Sequence, residues 1–224
     1  RHLRMALLAG LTLSAGRADG NSPNIGSTAS AREAAFAAKC TPAAMAALLA
    51  GLGTRVTIAQ VPNSLPVPNG VKYTPPSGRL PGYCQVTGGY VTNPAIGKTA
   101  NFIATFPSNW NGKYLQLGCS GSCGVLLMNN PAMPQVTITT QGYPGQLIEK
   151  GYATFGNDLG HLGRMGGPPI SSDWLVKPGG GLDSEALEDY LWRADFVMAD
   201  MGKAFVRAFY GQGGAAPVRI SRSY

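Results

Sequence analysis

The chain has 224 residues, of which 13% are charged, and a formal net charge of +7. Its length is enough for one sizeable core, and its 31 glycines and 17 prolines indicate a loop-rich globular protein, not a coiled coil or a disordered acidic segment. Lysines and arginines are scattered beyond Arg1 and Arg4, so the charge predicts a mildly basic solvated surface and no nucleic-acid partner. The sequence has no internal repeat and no apolar stretch long enough to cross a bilayer.

Residues 1–18 have the three parts of a secretory signal peptide, which we expect to be truncated at its start because no methionine opens the chain. A basic end precedes a short apolar core at residues 5–13 (MALLAGLTL), and Gly16-Arg17-Ala18 places small residues at both cleavage-determining positions. A buried helix is the alternative, which the glycines and the basic flank disfavour. Residues 19–30 are polar and Gly/Ser-rich, which predicts disorder, and we assign residues 19–39 as a linker. The structured domain is expected to span residues 40–224, and we expect it to be secreted or periplasmic, with no membrane attachment once the signal is removed.

If the chain is exported, its four cysteines are expected to form disulfides, because an oxidising compartment favours them. Four cysteines allow three pairings. The simplest of these joins Cys40 to Cys84 and Cys119 to Cys123, since the second pair shares one short loop.

The next elements follow in chain order. Thr41 can cap a helix over residues 42–52, and Pro42 suits its first turn. Apolar and alternating segments predict strands at residues 86–91, 101–106, 113–117, 136–140 (a short strand or an extended loop) and 152–155. Gly151 ends a helix over residues 146–150, and the Gly/Pro-rich stretch 163–181 predicts an excursion over the surface.

One long helix is predicted over residues 184–210. Asp183 can cap it, Glu185 supplies negative charge to its first turn, and apolar residues repeat at helical spacing until Gly211 ends it. Residues 217–220 begin another apolar segment. Strands that alternate with helices predict an α/β architecture with a mainly parallel sheet.

The strand at residues 113–117 runs into a loop of small residues, Gly118-Cys119-Ser120-Gly121-Ser122-Cys123-Gly124. Small residues let a backbone approach a ligand closely. A loop that follows a strand is also where α/β enzymes place backbone N–H donors for an oxyanion. A plain tight turn is the alternative interpretation.

Four groups of residues occur in an order that resembles one family. They are Leu80-Pro81-x-x-Cys84-x-Val86, Trp110-Asn111-Gly112-Lys113-x-Leu115-Gln116-x-Gly118, Gly151-Tyr152-Ala153-Thr154 followed by Asp158-x-Gly160-His161, and Lys203-Ala204 with Ala208-Phe209-Tyr210-Gly211. Together they resemble the tannase/feruloyl esterase family of α/β-hydrolases over residues 40–224. The resemblance implies an α/β-hydrolase-type sheet with flanking helices. Residues 221–224 (SRSY) resemble the strand just before the family's nucleophile elbow, Gly-Cys-Ser-x-Gly-Gly.

The resemblance implies that the nucleophilic serine, the acid, the base and the lid domain all lie beyond Tyr224. We therefore expect the chain to be the N-terminal portion of the hydrolase domain and to be inactive alone. A serine triad needs a histidine base, and His161 is the only histidine outside the predicted signal peptide. In the Asp-x-Gly-His loop its expected role is structural, with catalysis as the alternative. No metal or other cofactor is expected in these residues, and the calcium site of some family members lies in the lid.

The resemblance places the loop at residues 118–124 where the family supplies one backbone N–H of the oxyanion hole. The donor here is the amide of Ser120 or Gly121, and the second donor would follow the serine. Cys119 and Cys123 depart from the family's pattern. A bridge between them would make the loop more rigid, which suits preorganised donors.

The expected function is hydrolysis of small aromatic carboxylic esters through a serine acyl-enzyme. The alternative is an exported binding or scaffold domain that has the fold without the chemistry. A nucleotide-binding α/β enzyme is disfavoured, because the sequence contains neither a G-x-G-x-x-G nor a P-loop motif.

Overall fold

The computed structural model describes residues 25–52, 56–58, 70–118, 124, 126, 144–163, 172–211 and 218–220. This part of the chain forms a seven-stranded sheet with helices packed against it. The helices are α1 Ile25–Lys39, α2 Pro42–Ala50, α3 Pro144–Glu149, α4 Ser184–Glu188 and α5 Ala194–Tyr210. The strands are β1 Val56–Ile58, β2 Val71–Thr74, β3 Tyr83–Asn93, β4 Lys98–Pro107, β5 Tyr114–Leu117, β6 Ala153–Asn157 and β7 Val218–Ile220.

The sheet is mixed, which confirms the predicted α/β class but not the predicted mainly parallel pairing. Its order is β1-β3-β4-β6-β5-β7, with β2 also paired to β3. Strands β5, β6 and β7 are mutually parallel, whereas β3 is antiparallel to β1, β2 and β4, and β4 is antiparallel to β6. The physical reason is the short turn between Asn93 and Lys98, because so short a connection cannot carry a parallel crossover.

Helix α1 corrects part of the linker prediction, because residues 25–39 of the predicted linker 19–39 form a helix. Its sequence from Ala31 onwards is rich in alanine, which favours helix more strongly than the glycine and serine before it disfavour it. The ring of Phe36 lies 6.3 Å from that of Tyr73 and 5.6 Å from that of Phe209. The hydroxyl of Tyr73 also donates to Glu33 at 2.7 Å. The helix is therefore packed on the sheet and on α5, and the boundary at residue 40 stays a prediction.

The disulfide between Cys40 and Cys84 confirms the first half of the predicted pairing. The two Cα atoms are 5.5 Å apart, and the bridge ties the junction of α1 and α2 to β3. Helix α2 begins as predicted, with Pro42 in its first turn and the Thr41 side chain accepting from the amide of Ala44 at 3.2 Å. The predicted pairing of Cys119 with Cys123, like the strand at residues 136–140, lies outside the described residues.

The core lies between α5 and the centre of the sheet. Aromatic rings of β4, β6 and α5 contact one another there, and the fully buried ones are Phe102, Phe106, Phe155, Phe205 and Phe209. Gly202 lets the helix approach closely, because a Cβ atom at this position would lie 2.5 Å from the Tyr114 hydroxyl. The apolar stripe predicted for residues 184–210 is thus a core stripe, and Gly211 ends the helix with a φ of +72°.

The long helix contains one feature that its sequence pattern did not indicate. A π-helical turn, Asp189–Arg193, separates α4 from α5. Such turns insert an extra residue into the helix and often occur at functional sites. None of the helices that the structure describes is both long and apolar enough to cross a membrane.

We expect the Cys40–Cys84 bridge to be a major source of stability. It closes a loop with a sequence separation of 44, and the chain-entropy model gives about 4 kcal/mol for such a loop. Urea unfolding of the double variant Cys40→Ala/Cys84→Ala should show this loss. The matched control is Cys119→Ala/Cys123→Ala, which removes at most a five-residue loop worth about 2 kcal/mol in the same model. An equal or smaller loss in the first variant would contradict the expectation.

Candidate active site

The carboxyl ends of two parallel strands meet at one edge of the sheet. Leu117 of β5 is in register with Gly156 of β6, so the loops that begin at Gly118 and at Asp158 start side by side. Ligand sites of open α/β sheets lie at the carboxyl ends of their parallel strands. The sequence-predicted donors Ser120 and Gly121 follow Gly118 directly, but they lie outside the described residues, so their role stays a prediction.

The carboxylate of Asp158 organises the loop that follows β6. Its Oδ1 accepts from the backbone amides of Asn101 and Gly160, each at 3.0 Å, and its Oδ2 accepts from Nδ2 of Asn101 at 2.6 Å. The side chain is 2% exposed. Burial raises the pKa of Asp158 to about 6, although the hydrogen bonds from Asn101 and Gly160 act in the opposite direction. The carboxylate thus joins β4 to the turn after β6.

The turn itself is strained at Leu159. This residue has a φ of +56°, and it is the only residue other than glycine with a positive φ in the part of the chain that the structure describes. Its amide donates to Oδ1 of Asn157 at 3.1 Å, which helps to hold the turn. A bulky residue in the left-handed region is costly and persists only where its surroundings fix it, which is common near functional sites.

Beneath the turn, a buried polar cluster ties three strands to the start of α5. Nδ2 of Asn157 donates to the Tyr90 hydroxyl at 2.8 Å and to the Asp195 carboxylate at 3.2 Å. Nε2 of Gln116 donates to the same carboxylate at 3.1 Å, and the Tyr90 hydroxyl donates to the Ala194 carbonyl at 2.9 Å. Burial, helped by nearby carboxylates, raises the pKa of Tyr90 well above its ordinary value, so this hydroxyl remains a donor.

The π-helical turn places a buried ion pair against the same loop. Arg193 donates through Nε to Asp189 and through Nη2 to Glu185, the latter at 2.8 Å. The Asp189 side chain is fully buried, and a Cβ atom added to Gly160 would lie 2.5 Å from its Oδ2. Gly160 has a φ of +75°, so both its backbone and its surroundings exclude a side chain. The helix therefore packs directly on the Asp-x-Gly-His loop.

His161 lies among aromatic rings. Its ring stacks on Trp174, with centroids 3.8 Å apart and planes 14° apart, and the Tyr190 ring is 5.9 Å away. The residue is 7% exposed, and its Nδ1 lies 3.4 Å from the Leu159 carbonyl. This environment fits a packing role better than that of a base that must reach a nucleophile, and the predicted structural role stays a prediction.

The loop after β6 also touches the far end of the loop after β5. The amide of Gly163 donates to the Gly124 carbonyl at 2.8 Å. Two residues further on, the buried side chain of Leu126 packs on Ile103 of β4. The structure thus brings Gly124, the described end of the predicted oxyanion loop, into contact with the loop that contains the Asp-x-Gly-His sequence.

The sequence analysis did not assign a functional role to several residues of this site. Polar residues within otherwise apolar elements were the available signal, as in Gln116 within β5 and Asp195 and Arg193 on the long helix. Among the described residues, no group of three or more His, Cys, Asp or Glu side chains could hold a metal ion.

The fold and a family model now identify the class of protein. The chain superposes on feruloyl esterase B from Aspergillus oryzae with a TM-score of 0.56 and 18% identity, covering 84% of this chain and 32% of that one. A second structure, an esterase from Aspergillus oryzae, gives a TM-score of 0.55 and 19% identity over 84% of this chain and 32% of its own. The described sheet and its helices have the α/β-hydrolase type of fold.

The model of the family "Tannase and feruloyl esterase" matches residues 84–216, more than half of the chain. The chain belongs to this family, whose members are ester hydrolases. It is also similar to the mono(2-hydroxyethyl) terephthalate hydrolase of Piscinibacter sakaiensis. The alignment has 27% identity over 142 residues and covers 62% of this chain and 22% of that protein. The chain therefore spans 22% to 32% of the length of these relatives.

We expect the ionisation of Asp158 to oppose folding. Its pKa is raised in the folded chain, from 3.8 to about 6. The folded state therefore holds the proton more tightly, and stability should fall as pH rises from 3.8 to about 6 and then level off. The size of the effect is about 3 kcal/mol.

The measurement is the free energy of urea unfolding against pH for the wild type and for Asp158→Asn. The difference, wild type minus variant, should fall across this window. Asp200→Asn is the control, because the Asp200 side chain is 72% exposed. A difference that rises with pH would show that the hydrogen bonds lower the pKa of Asp158 more than burial raises it.

Proposed function

We propose that the protein to which this chain belongs hydrolyses carboxylic esters of small aromatic acids. The observation that carries the proposal is the family match over residues 84–216, together with two loops that meet beside the ends of β5 and β6. Two relatives support the substrate class by their names, because ferulate and terephthalate are both aromatic acids. The substrate of the present protein would then be a small aromatic ester.

The proposed chemistry is acyl transfer through a serine. A serine activated by a histidine attacks the ester carbonyl, the alcohol leaves, and water releases the acid from the acyl-enzyme. We propose that this chain contributes a backbone N–H of Ser120 or Gly121, which stabilises the oxyanion as charge develops on the carbonyl oxygen. The nucleophile, the acid and the base would come from a further part of a longer polypeptide, since the chain spans only 32% of the feruloyl esterase.

The stacked environment of His161 supports the proposal that the catalytic base lies outside this chain. The chain has two histidines, and His2 lies in the predicted signal peptide. A general base must lie within hydrogen-bond reach of the hydroxyl from which it takes a proton. His161 is instead 7% exposed, and the Trp174 ring covers one face of its imidazole, with centroids 3.8 Å apart. We therefore expect the isolated chain not to hydrolyse aromatic esters.

We also propose that the protein is exported, either secreted or periplasmic. The Cys40–Cys84 bridge supports this, because disulfides persist mainly in oxidising compartments. The signal peptide over residues 1–18 lies outside the described residues and stays a prediction.

The first test compares this chain with the complete gene product on an aryl ester such as methyl ferulate. Initial rates should exceed the buffer rate only for the complete product. Reading the gene beyond Tyr224 should show the sequence Gly-Cys-Ser-x-Gly-Gly. Activity of the isolated chain would contradict the proposal that the nucleophile, acid and base lie in a further part of the polypeptide. A complete product without activity would favour the exported scaffold alternative.

The second test concerns the oxyanion donor. In the complete gene product, Gly121→Pro should lower kcat by about 10²-fold or more if the Gly121 amide is the donor. Ser120→Ala should have a much smaller effect, because only the backbone at this position is proposed to act. Gly121→Ala is the matched control, since it keeps the amide. Loss of all activity in a folded Ser120→Ala variant would instead make Ser120 the nucleophile.

A further inference from the structure

We propose that Trp174 and His161 are positioning residues. Their stacked rings hold the loop after β6 against Gly124, the described end of the loop that carries the proposed oxyanion donor. The inference rests on the proposed function for its catalytic consequence, but the contacts that carry it are independent of that function. They form a chain from Trp174 through His161 and Gly163 to Gly124.

The first link is the contact between two glycines. The amide of Gly163 donates to the Gly124 carbonyl at 2.8 Å. A Cβ atom added to Gly124 would lie 2.6 Å from the Cα of Gly163, and Gly124 has a φ of +80°. The two backbones can therefore meet only because this position has no side chain. A displacement of the Gly163 backbone would be transmitted directly to Gly124.

The segment around Gly124 has anchors on both sides. Upstream, Leu117 is in register with Gly156 of the neighbouring parallel strand. Downstream, Leu126 is 1% exposed and packs on Ile103. The contact with Gly163 lies between these two anchors. It is thus placed to fix Gly124, a described residue that lies close in sequence to the proposed donor, Ser120 or Gly121.

The loop after β6 is itself held from two other directions. Asp158 fixes its start to β4, and the carboxylate of Asp189 fills the space beside Gly160. These contacts leave residues 161–163 as the part that reaches towards Gly124. The side chain of Leu162 is 49% exposed and gives this part little packing. Within the described part of this loop, His161 is therefore the buried side chain that lies nearest in sequence to Gly163.

Trp174 supplies the surface on which His161 lies. It belongs to a short 3₁₀ helix, Asp173–Leu175, and its ring also lies 5.0 Å from that of Tyr190 in the π-helical turn. The 3₁₀ helix is fixed by the amide of Asp183, which donates to the Leu175 carbonyl at 2.7 Å. Removing the indole would uncover one face of the His161 ring while leaving the core untouched, because Trp174 is only half-buried.

Small displacements of an oxyanion donor lower the catalytic rate strongly. A misplacement of about 1 Å can cost about 10²-fold in rate, and donors must be preorganised to act. A partial loosening of Gly124 should therefore lower kcat by about 10-fold in Trp174→Ala, within that limit. The KM should change less than about 2-fold, since donors to a developing charge act mainly in the transition state.

The experiment uses the complete gene product in four forms: the wild type, Trp174→Ala, Trp174→Phe and Trp192→Ala. Trp192 is the matched control, because it is 47% exposed and its ring partner is Phe196, with centroids 6.1 Å apart. Amide hydrogen exchange of peptides covering Gly124 and Gly163 is measured beside kcat and KM on methyl ferulate. Peptides from β4 serve as the internal reference for global unfolding.

In Trp174→Ala, exchange around Gly124 and Gly163 should accelerate while β4 stays unchanged, and kcat should fall. Trp174→Phe should restore most of both properties, and Trp192→Ala should match the wild type. If Trp174→Ala does not fold, Trp174→Leu replaces it, because leucine keeps apolar contact without a flat ring. Wild-type exchange around Gly124 in a folded variant would overturn the inference, as would an equal effect of Trp192→Ala. If the wild type lacks esterase activity but exchange responds as expected, the proposed function is wrong and the positioning contact stands.

Discussion

The carboxylate of Asp158 is the constraint on which the candidate site depends. It accepts three hydrogen bonds, two from Asn101 on β4 and one from Gly160 in its own loop. A buried carboxylate is tolerated only when such donors surround it. Because Asn101 lies on β4, which forms a long antiparallel pair with β3, these bonds connect the loop after β6 to the antiparallel half of the sheet.

From this point the contacts extend in two directions. Towards the helix, Gly160 packs on Asp189, whose ion pair with Arg193 lies in the π-helical turn. Towards the neighbouring strand, Gly163 reaches Gly124. A buried ion pair adds little net stability, but removing one partner destabilises the fold strongly because a buried charge is left without a partner. Such a pair is therefore better suited to specifying one arrangement of the helix than to stabilising the fold. The loop after β6 thereby links the helix to the proposed oxyanion loop.

Local patterns predicted the elements well and their assembly less well. The cap at Thr41, the stop at Gly211 and the bridge between Cys40 and Cys84 all follow from local chemistry. The π-helical turn does not, because Asp189 is buried there against residues that are distant in sequence, Thr92 and Gly160. The same holds for the site. The small-residue loop and the Asp-x-Gly-His sequence could be recognised, but the contact of Gly163 with Gly124 depends on strand order, which a mixed sheet made hard to infer.

The central claim is that the loop after β5 supplies an oxyanion donor and is held there by the loop after β6. The most direct measurement is a crystal structure of the complete gene product inactivated by an aryl phosphonate, whose P–O oxygen imitates the oxyanion. We expect that oxygen within about 2.7–3.1 Å of the backbone nitrogen of Ser120 or Gly121, with the amide of Gly163 still bonded to the Gly124 carbonyl. A phosphonate attached to Ser120, or an oxygen bound only by other groups, would contradict the account.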